Sequence, residues 1–172
     1  KPKISLPKIV DLRCYCSLVE DQGSLGSCTA NALAGNIEFL DNKPDYSYKD
    51  VSRLIIYYNE RVLINSVDFD SGATLRDGIK TLRKSGACEE SKWPYEIEHF
   101  RQKPSKPCYL EAKKHRIQSY HRITNLSEML VCLAEGYPFV FGFTVYESFE
   151  SKKVARTGVV NMPKKSERAI GG

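Results

Sequence analysis

Apolar residues recur every three or four positions through the first two thirds of the chain, as they do on one face of an α-helix. Ser27 stands where it can cap the first predicted helix, Pro44 is placed to stop that helix, and Gly86 ends the third. The first predicted helix runs from Cys28 to the stop at 41–44, with Ala30, Leu33, Ala34, Ile37 and Leu40 on its apolar face. The second runs from about Ser47 to Leu63, with Val51, Leu54, Ile55, Tyr58 and Val62 on its apolar face. The third runs from about Thr74 to Ser85, with Leu75, Ile79 and Leu82 on its apolar face.

The last third of the chain carries the signals of strands. The run Pro138–Tyr146, PFVFGFTVY, is rich in β-branched and aromatic residues and is the strongest strand signal in the sequence. Gly158–Val160 predicts a further short strand. Leu126–Glu135 predicts a short helix that ends at Gly136.

Two other stretches are predicted to be extended, Val10–Arg13 as a short strand and Trp93–Pro107 as a proline-containing connection. The chain therefore divides into an N-terminal strand and loop over 1–27, a helical part over 28–110 and a β-rich part over 111–172. This combination indicates an α+β protein.

Composition and charge exclude several function classes. The chain has 172 residues, 41% of them hydrophobic, enough for one sizeable core or two small lobes. The net charge of +5 is scattered, and the densest basic run, Lys113–Arg122, contains a single aromatic residue, Tyr120. We therefore expect no nucleic-acid binding. No apolar stretch approaches the roughly 18–20 residues that span a bilayer, and the prolines within residues 1–10 argue against a signal peptide.

The six cysteines give neither a metal site nor a disulfide pattern. A zinc site needs paired ligands such as a repeated C-x2-C, and the chain has only the C-x-C of Cys14 and Cys16. We expect no metal. If Cys28 is a free thiol, an odd number of cysteines remains, so the spacing alone does not define a disulfide framework.

The segment QGSLGSC, Gln22–Cys28, places a thiol at the start of the first predicted helix. The positive end of the helix dipole favours the thiolate, which is the nucleophilic form. The preceding glycines allow close approach to a substrate carbonyl, and free backbone N–H groups together with the Gln22 amide could hold an oxyanion. On spacing alone, the alternative is a buried structural cysteine behind a glycine turn.

This segment resembles the active-site segment of papain-like cysteine peptidases, whose local signature reads C-G-[SA]-C-[WY]. Leu25 stands where the family often has a disulfide cysteine, and Thr29 replaces the aromatic residue. Other segments match in order along the whole chain, closest to the prokaryotic and viral branches. They are Leu6–Arg13 (the mature N-terminus), Asp70–Ala73 (the glycine pair lining the cleft), Trp93–Tyr95 (Tyr-Pro-Tyr), Gly136–Val140 (Gly-Pro-Val) and Thr157–Val160 (the strand before the histidine).

The resemblance implies a two-lobe α+β fold, with a helical left lobe and a β-barrel-like right lobe that is incomplete in this chain, and it implies no cofactor. It makes Cys28 the nucleophile and Gln22 the oxyanion donor. It places Gly72 and Ser71 against an extended substrate, and by approximate position it places Phe143 in the specificity pocket.

The family's catalytic histidine is expected about 130–150 residues after the cysteine. His99, His115 and His121 lie only 71, 87 and 93 residues after Cys28 (99 − 28, 115 − 28, 121 − 28) and are expected to be surface histidines. Gly172 lies 144 residues after Cys28 (172 − 28), so we expect the histidine and the orienting asparagine beyond it. The remainder would then be a cleaved second chain, a continuation of this one, or absent from a truncated and inactive domain.

The sequence therefore predicts a cysteine endopeptidase that acts on polypeptides, whose fold a C-terminal fragment would complete. A non-catalytic papain-like binding or scaffold module is the alternative. The resemblance implies a secreted or lumenal, vacuolar location, and neither nucleic acid nor membrane is expected as a partner.

Overall fold

The computed structural model describes residues 6–47 and 49–172, within two compact units, Lys1–Val140 and Phe141–Gly172. The α-helices are α1 (Cys28–Asp45), α2 (Arg53–Leu63), α3 (Leu75–Lys84), α4 (Lys106–Ala112), α5 (Leu126–Ala134) and α6 (Lys152–Thr157); the strands are β1 (Val145–Tyr146) and β2 (Ala169–Gly171); 3-10 turns cover Arg13–Tyr15, Glu90–Lys92, Ile97–His99, Lys113–His115 and Glu147–Glu150. The predicted division at 27 and 110 stays a prediction.

Helix α1 begins at Cys28 as predicted, but it continues through Pro44 to Asp45. The predicted stop at 41–44 is wrong because the helix tolerates the missing N–H donor of Pro44 near its end, and Tyr46 N–H, two residues later, still donates to Asn42 O at 2.8 Å. Tyr46 then ends the helix in the left-handed region, at φ 57°.

Helix α2 begins at Arg53, six residues after the predicted start at Ser47. Val51 pairs with Glu89 in an isolated antiparallel bridge, and Ser52 caps the helix by accepting a hydrogen bond from Ile55 N–H at 3.3 Å. Tyr48, inside the predicted helix, lies outside the described residues. Every residue from 53 to 61 is buried, so α2 is an interior helix.

Helix α3 follows the prediction closely, because both of its ends are specified locally. Thr74 Oγ1 caps it by accepting from Asp77 N–H at 3.2 Å. Gly86 follows its end at φ 73°, where a Cβ would lie 1.8 Å from Ala112 O. Side chains of α1, α2 and α3 form the core with Leu25, Val51, Ala87 and Cys88.

Two predicted extended stretches are wrong. Residues 6–12 contain no strand in the described part of the chain, and a 3-10 turn follows at Arg13–Tyr15; residues 1–5 of the predicted N-terminal strand segment lie outside the description. The stretch Trp93–Pro107 ends in α4, whose first turn accommodates Pro107 because the early N–H groups of a helix have no intrahelical partner.

The second unit contains one small antiparallel sheet, with Val145 opposite Gly171 and Tyr146 opposite Ala169. Of the predicted strand Pro138–Tyr146, only Val145–Tyr146 is paired. The predicted strand at 158–160 is wrong because Gly158, at φ 66°, ends the unpredicted helix α6. The described part of 111–172 is therefore less rich in strands than the sequence indicates.

Candidate active site

Cys28 is the first residue of α1, and its side chain is exposed. Among the described residues, none forms a hydrogen bond with its Sγ or its backbone N–H. The first N–H groups of a helix have no intrahelical acceptor. An exposed thiol and free N–H donors therefore lie together at the positive end of α1. The alternative of a buried structural cysteine is wrong for this position.

The residues before Cys28, 20–27, form an irregular segment that we call the cysteine loop. In this loop the half-buried Gln22 donates from Nε2 to Leu25 O at 3.0 Å. An amide nitrogen carries two hydrogens, so one N–H remains after this bond. Gly23 turns the chain at φ 58°. The hydrogen bond to Leu25 O therefore fixes the position of Gln22 Nε2, the atom whose second hydrogen would be donated to an oxyanion.

Ser27 precedes α1 but does not cap it with its side chain, contrary to the prediction. Its Oγ is hydrogen-bonded to the Tyr95 hydroxyl and accepts from Asn31 Nδ2 at 3.0 Å. The hydroxyl is therefore used to tie the loop to neighbouring side chains. This leaves the first N–H groups of α1 without a side-chain acceptor from Ser27.

Residues 66–73, which we call the glycine loop, are joined to the cysteine loop by one carboxylate. Asp70 accepts from Gly26 N–H with both oxygens, at 3.1 and 3.0 Å. It also accepts from the Tyr57 hydroxyl, which in turn accepts from Gly72 N–H at 3.1 Å. The structure therefore brings Gly72 close to the segment that precedes Cys28.

The backbone of Gly72 is already engaged within the chain. Its N–H donates to Tyr57, and its carbonyl accepts from Ser71 Oγ at 3.1 Å. By contrast, the backbone N–H and carbonyl of Ala73 have no partner among the described residues. The backbone groups of Ser71 are likewise unpartnered among the described residues, so open groups flank Gly72 on both sides.

Arg61 holds the glycine loop from inside the protein. It is fully buried, and its Nη1 donates to Val67 O at 2.7 Å and Phe69 O at 3.2 Å. Its Nη2 donates to Phe100 O. Burial lowers the pKa of this guanidinium. The carbonyl groups compensate for desolvating the cation.

Glu60, beside Arg61, faces α1 instead. It is fully buried and accepts from Thr29 Oγ1 at 2.9 Å, directly after Cys28. Its Oε1 has no partner among the described residues. Burial raises the pKa of this carboxyl to about 8. Glu60 is therefore a neutral acid at pH 7 and anchors the first turn of α1 without adding charge there.

Sequence reasoning missed Arg53, Tyr57, Glu60 and Arg61, all on α2. Charged side chains are usually assigned to a solvent-facing surface. The available signal is spacing, because residues 53, 57 and 61 repeat every four positions and share one helix face. That face runs beneath both loops.

The remaining predicted site residue is Phe143, and the three histidines were expected to lie at the surface. Phe143 belongs to the second unit, where its ring contacts Phe149 at 5.3 Å between centroids; its role in a specificity pocket stays a prediction. His99 contacts Glu96 through Nδ1 at 2.9 Å, and His115 and His121 are exposed. No described histidine is hydrogen-bonded to Cys28.

Two of the other cysteines differ from Cys28 in exposure. Cys88 and Cys108 are buried in the core, and burial raises the pKa of the Cys88 thiol to about 12. Such a thiol is protonated and inert at neutral pH.

Within residues 6–47 and 49–172, no group of three or more acidic, histidine or cysteine side chains is placed to hold a metal ion. No described helix could span a membrane.

No family model matches this chain. A peptidase C1-like protein of Acanthamoeba polyphaga mimivirus, itself uncharacterized, is 46% identical over 100% of this chain and 60% of its own length. The crystal structure of xylellain, a cysteine protease from Xylella fastidiosa, matches with a TM-score of 0.82 at 39% identity, over 97% of this chain and 67% of xylellain. The chain thus spans about 60% of the length of the curated relative that it matches.

Proposed function

Because the chain belongs to the papain-like cysteine peptidase family, we propose that it carries the nucleophile of a cysteine endopeptidase acting on polypeptides. The papain-like α+β fold predicted from the sequence is confirmed by the match with xylellain. The observation that supports the activity most directly is the exposed Cys28 at the start of α1, preceded by a loop in which the Gln22 amide is held by Leu25 O. No observation favours a non-catalytic module.

In the proposed mechanism, Cys28 Sγ attacks the carbonyl carbon of the scissile peptide bond. The negative charge that develops on the carbonyl oxygen is held by Cys28 N–H and the remaining N–H of Gln22 Nε2. The carbon–nitrogen bond then breaks, the leaving amine takes a proton from an imidazolium, and a thioester remains on Cys28. Water hydrolyses the thioester and restores the thiol.

The mechanism needs an imidazole, and no described histidine is hydrogen-bonded to Cys28. His99 is occupied by Glu96, and none of the three histidines contacts the cysteine. We propose that the catalytic histidine and its asparagine lie in the part of the full-length protein beyond Gly172. The matched proteins are longer than this chain, which supports such an arrangement.

An extended substrate would bind along the glycine loop. The open N–H and carbonyl of Ala73 can pair with a peptide backbone, as an added strand does. Gly72 would shape this edge rather than donate to the substrate, because its N–H donates to Tyr57 and its carbonyl accepts from Ser71 Oγ. The backbone N–H and carbonyl of Ser71 have no partner among the described residues and stay open to the substrate. Phe143 remains the proposed wall of the specificity pocket.

The test is peptidase activity of the full-length protein on casein, with Cys28→Ala and Cys14→Ala compared. Both cysteines are exposed, so they are matched in access. Cys28→Ala should lower kcat by at least about 10,000-fold, as removal of a nucleophile does elsewhere, while Cys14→Ala should change nothing. Limiting iodoacetamide near pH 6 should label Cys28 before Cys14 and leave Cys88 unlabelled. Equal activity of the two variants would refute the proposal.

A further inference from the structure

The hydroxyl of Tyr95 joins the two ends of the cysteine loop. It donates to Gln22 O at 3.0 Å and is hydrogen-bonded to Ser27 Oγ. Since a tyrosine has one hydroxyl proton and Gln22 O accepts it, Ser27 must donate to Tyr95. The residue that presents the amide and the residue before Cys28 are therefore held by the same oxygen atom.

A directed chain of hydrogen bonds leads from this hydroxyl to a buried cation. Asn31 Nδ2 donates to Ser27 Oγ at 3.0 Å, and Arg53 Nη1 donates to Asn31 Oδ1 at 3.1 Å. The donors follow the order Arg53, Asn31, Ser27 and Tyr95, and the Gln22 carbonyl is the final acceptor. A chain that begins at a permanent cation has one arrangement of its protons, and its bonds polarise one another.

Arg53 is fixed by its own contacts. Its guanidinium lies 4.1 Å from the centre of the Tyr95 ring and donates to Asp21 O at 3.3 Å. Nη2 is 3.2 Å from Glu20 and 3.7 Å from Glu90. Glu90 also accepts from the backbone N–H of Tyr95. The tyrosine is thus held at its ring and its backbone, so its hydroxyl has little freedom.

We propose that Tyr95 is a positioning residue for the oxyanion site, acting through its hydroxyl on Gln22 and Ser27. This inference rests on the proposed peptidase function. Gln22 Nε2 is bonded only to Leu25 O within the loop, so its position depends on how the ends of the loop are held. A role in packing alone would need the ring and not the hydroxyl, which makes the two roles separable.

The experiment compares Tyr95→Phe with Tyr109→Phe in the full-length protein. Tyr109 also donates one hydroxyl hydrogen bond, to Asn59 Oδ1 at 2.8 Å, but it is bonded to neither loop. Tyr95→Phe should lower kcat about ten-fold with KM changed less than about two-fold, since misplacing a donor costs less than the roughly 100–1,000-fold loss from deleting one. Tyr109→Phe should leave both constants unchanged. Equal kcat in the two variants would overturn the proposal.

A double-mutant cycle distinguishes positioning from a general loss of structure. If Tyr95 acts through Gln22, then adding Tyr95→Phe to a Gln22→Ala variant should lower kcat by less than about a further two-fold. The same ten-fold loss in that background would contradict the proposal.

Amide hydrogen exchange gives a readout that does not depend on activity. Peptides covering residues 20–27 should exchange faster in Tyr95→Phe than in Tyr109→Phe. Equal exchange rates would overturn the positioning role. If the unmodified full-length protein has no Cys28-dependent activity but exchange still responds to Tyr95→Phe, the peptidase proposal fails while the anchoring of the loop stands.

Discussion

The cysteine loop and the glycine loop are both irregular, and both are anchored to α2, but by groups of different character. On the side of Cys28, Glu60 is neutral and holds Thr29, with one carboxyl oxygen unpaired among the described residues. Under the glycine loop, Arg61 is charged and donates to the carbonyl groups of Val67, Phe69 and Phe100, and within α2 to Tyr57 O. The cysteine loop also depends on a buried cation, because Arg53 donates to Asp21 O. The difference is that Arg53 has the carboxylates of Glu20 and Glu90 as partners, whereas Arg61 donates to carbonyl groups.

The largest expected effect comes from removing the cation under the glycine loop. Arg61→Met keeps a long side chain but leaves the carbonyls of Val67, Phe69 and Phe100 without their donors. We expect the free energy of unfolding to fall by about 3–5 kcal/mol, since each unpaired buried acceptor costs about 1–3 kcal/mol. Urea unfolding measures this loss.

The matched control for this change is Arg83→Met, on an exposed position of α3. It should alter stability by less than about 0.5 kcal/mol. Equal effects of the two substitutions would show that Arg61 does not support the glycine loop.

The second effect concerns the neutral acid on the side of Cys28. The pKa of Glu60 is raised from 4.5 to about 8, mainly by burial, and Asp77 adds to the rise while Thr29 and Arg61 oppose it. Between these values the folded protein keeps a proton that the unfolded chain releases. Stability of the unmodified protein should therefore fall as the pH rises from about 4.5 to 8.

Glu60→Gln has no proton to lose at this position. Its stability relative to the unmodified protein should rise by on the order of 2–4 kcal/mol between pH 4.5 and 9. Urea unfolding at several pH values measures the difference, and Glu98→Gln, at an exposed position, is the control. A difference that does not vary with pH would mean that Glu60 is ionised in the folded protein.

The smallest expected effect tests the connection between the two loops. Asp70→Asn keeps one acceptor oxygen but removes the charge that holds Gly26 N–H and Tyr57. Because both loops lose a contact, kcat and KM should both worsen, and kcat/KM should fall about ten-fold, equivalent to about 1.4 kcal/mol. Unfolding free energy should fall by about 1–2 kcal/mol.

Asp68→Asn is the control, because Asp68 lies in the same loop, is exposed and has no hydrogen bond with a described residue. It should leave both kinetic constants unchanged. If Asp70→Asn changed KM alone, the two loops would be independent of each other.

Local signals were sufficient wherever an element's end is fixed by its own residues. The start of α1 at Cys28, and the end of α3 before Gly86, follow from spacing and from a glycine conformation. Local signals failed where a residue distant in sequence determines whether a segment forms a helix or a strand. Val51 pairs with Glu89 instead of lying within α2, and the β-branched and aromatic residues of Pro138–Tyr146 do not by themselves provide a second strand to pair with.

The residues of the candidate site divide in the same way, into those with a local sequence signal and those whose environment only the fold provides. Cys28 and Gln22 were predicted from the resemblance of Gln22–Cys28 to the family's active-site segment, because spacing alone left a structural cysteine as the alternative. The supporting residues were not, because Arg53 and Arg61 are charged, and only the folded chain provides the carbonyl and amide oxygens that make their burial tolerable. Gly72 was predicted to lie against the substrate, and in the structure its N–H donates to Tyr57 while its carbonyl accepts from Ser71 Oγ.

The charged interior of α2 ties the order of folding to the integrity of the site. Arg53 and Arg61 can leave water only when the two loops supply their acceptors. Docking of α2 and closure of the loops must then occur as a single cooperative event. In many enzymes the functional loops open at little cost while the core stays intact. In this unit, opening either loop takes carbonyl acceptors away from a buried cation, so loop opening costs more than the loss of the loop's own backbone contacts.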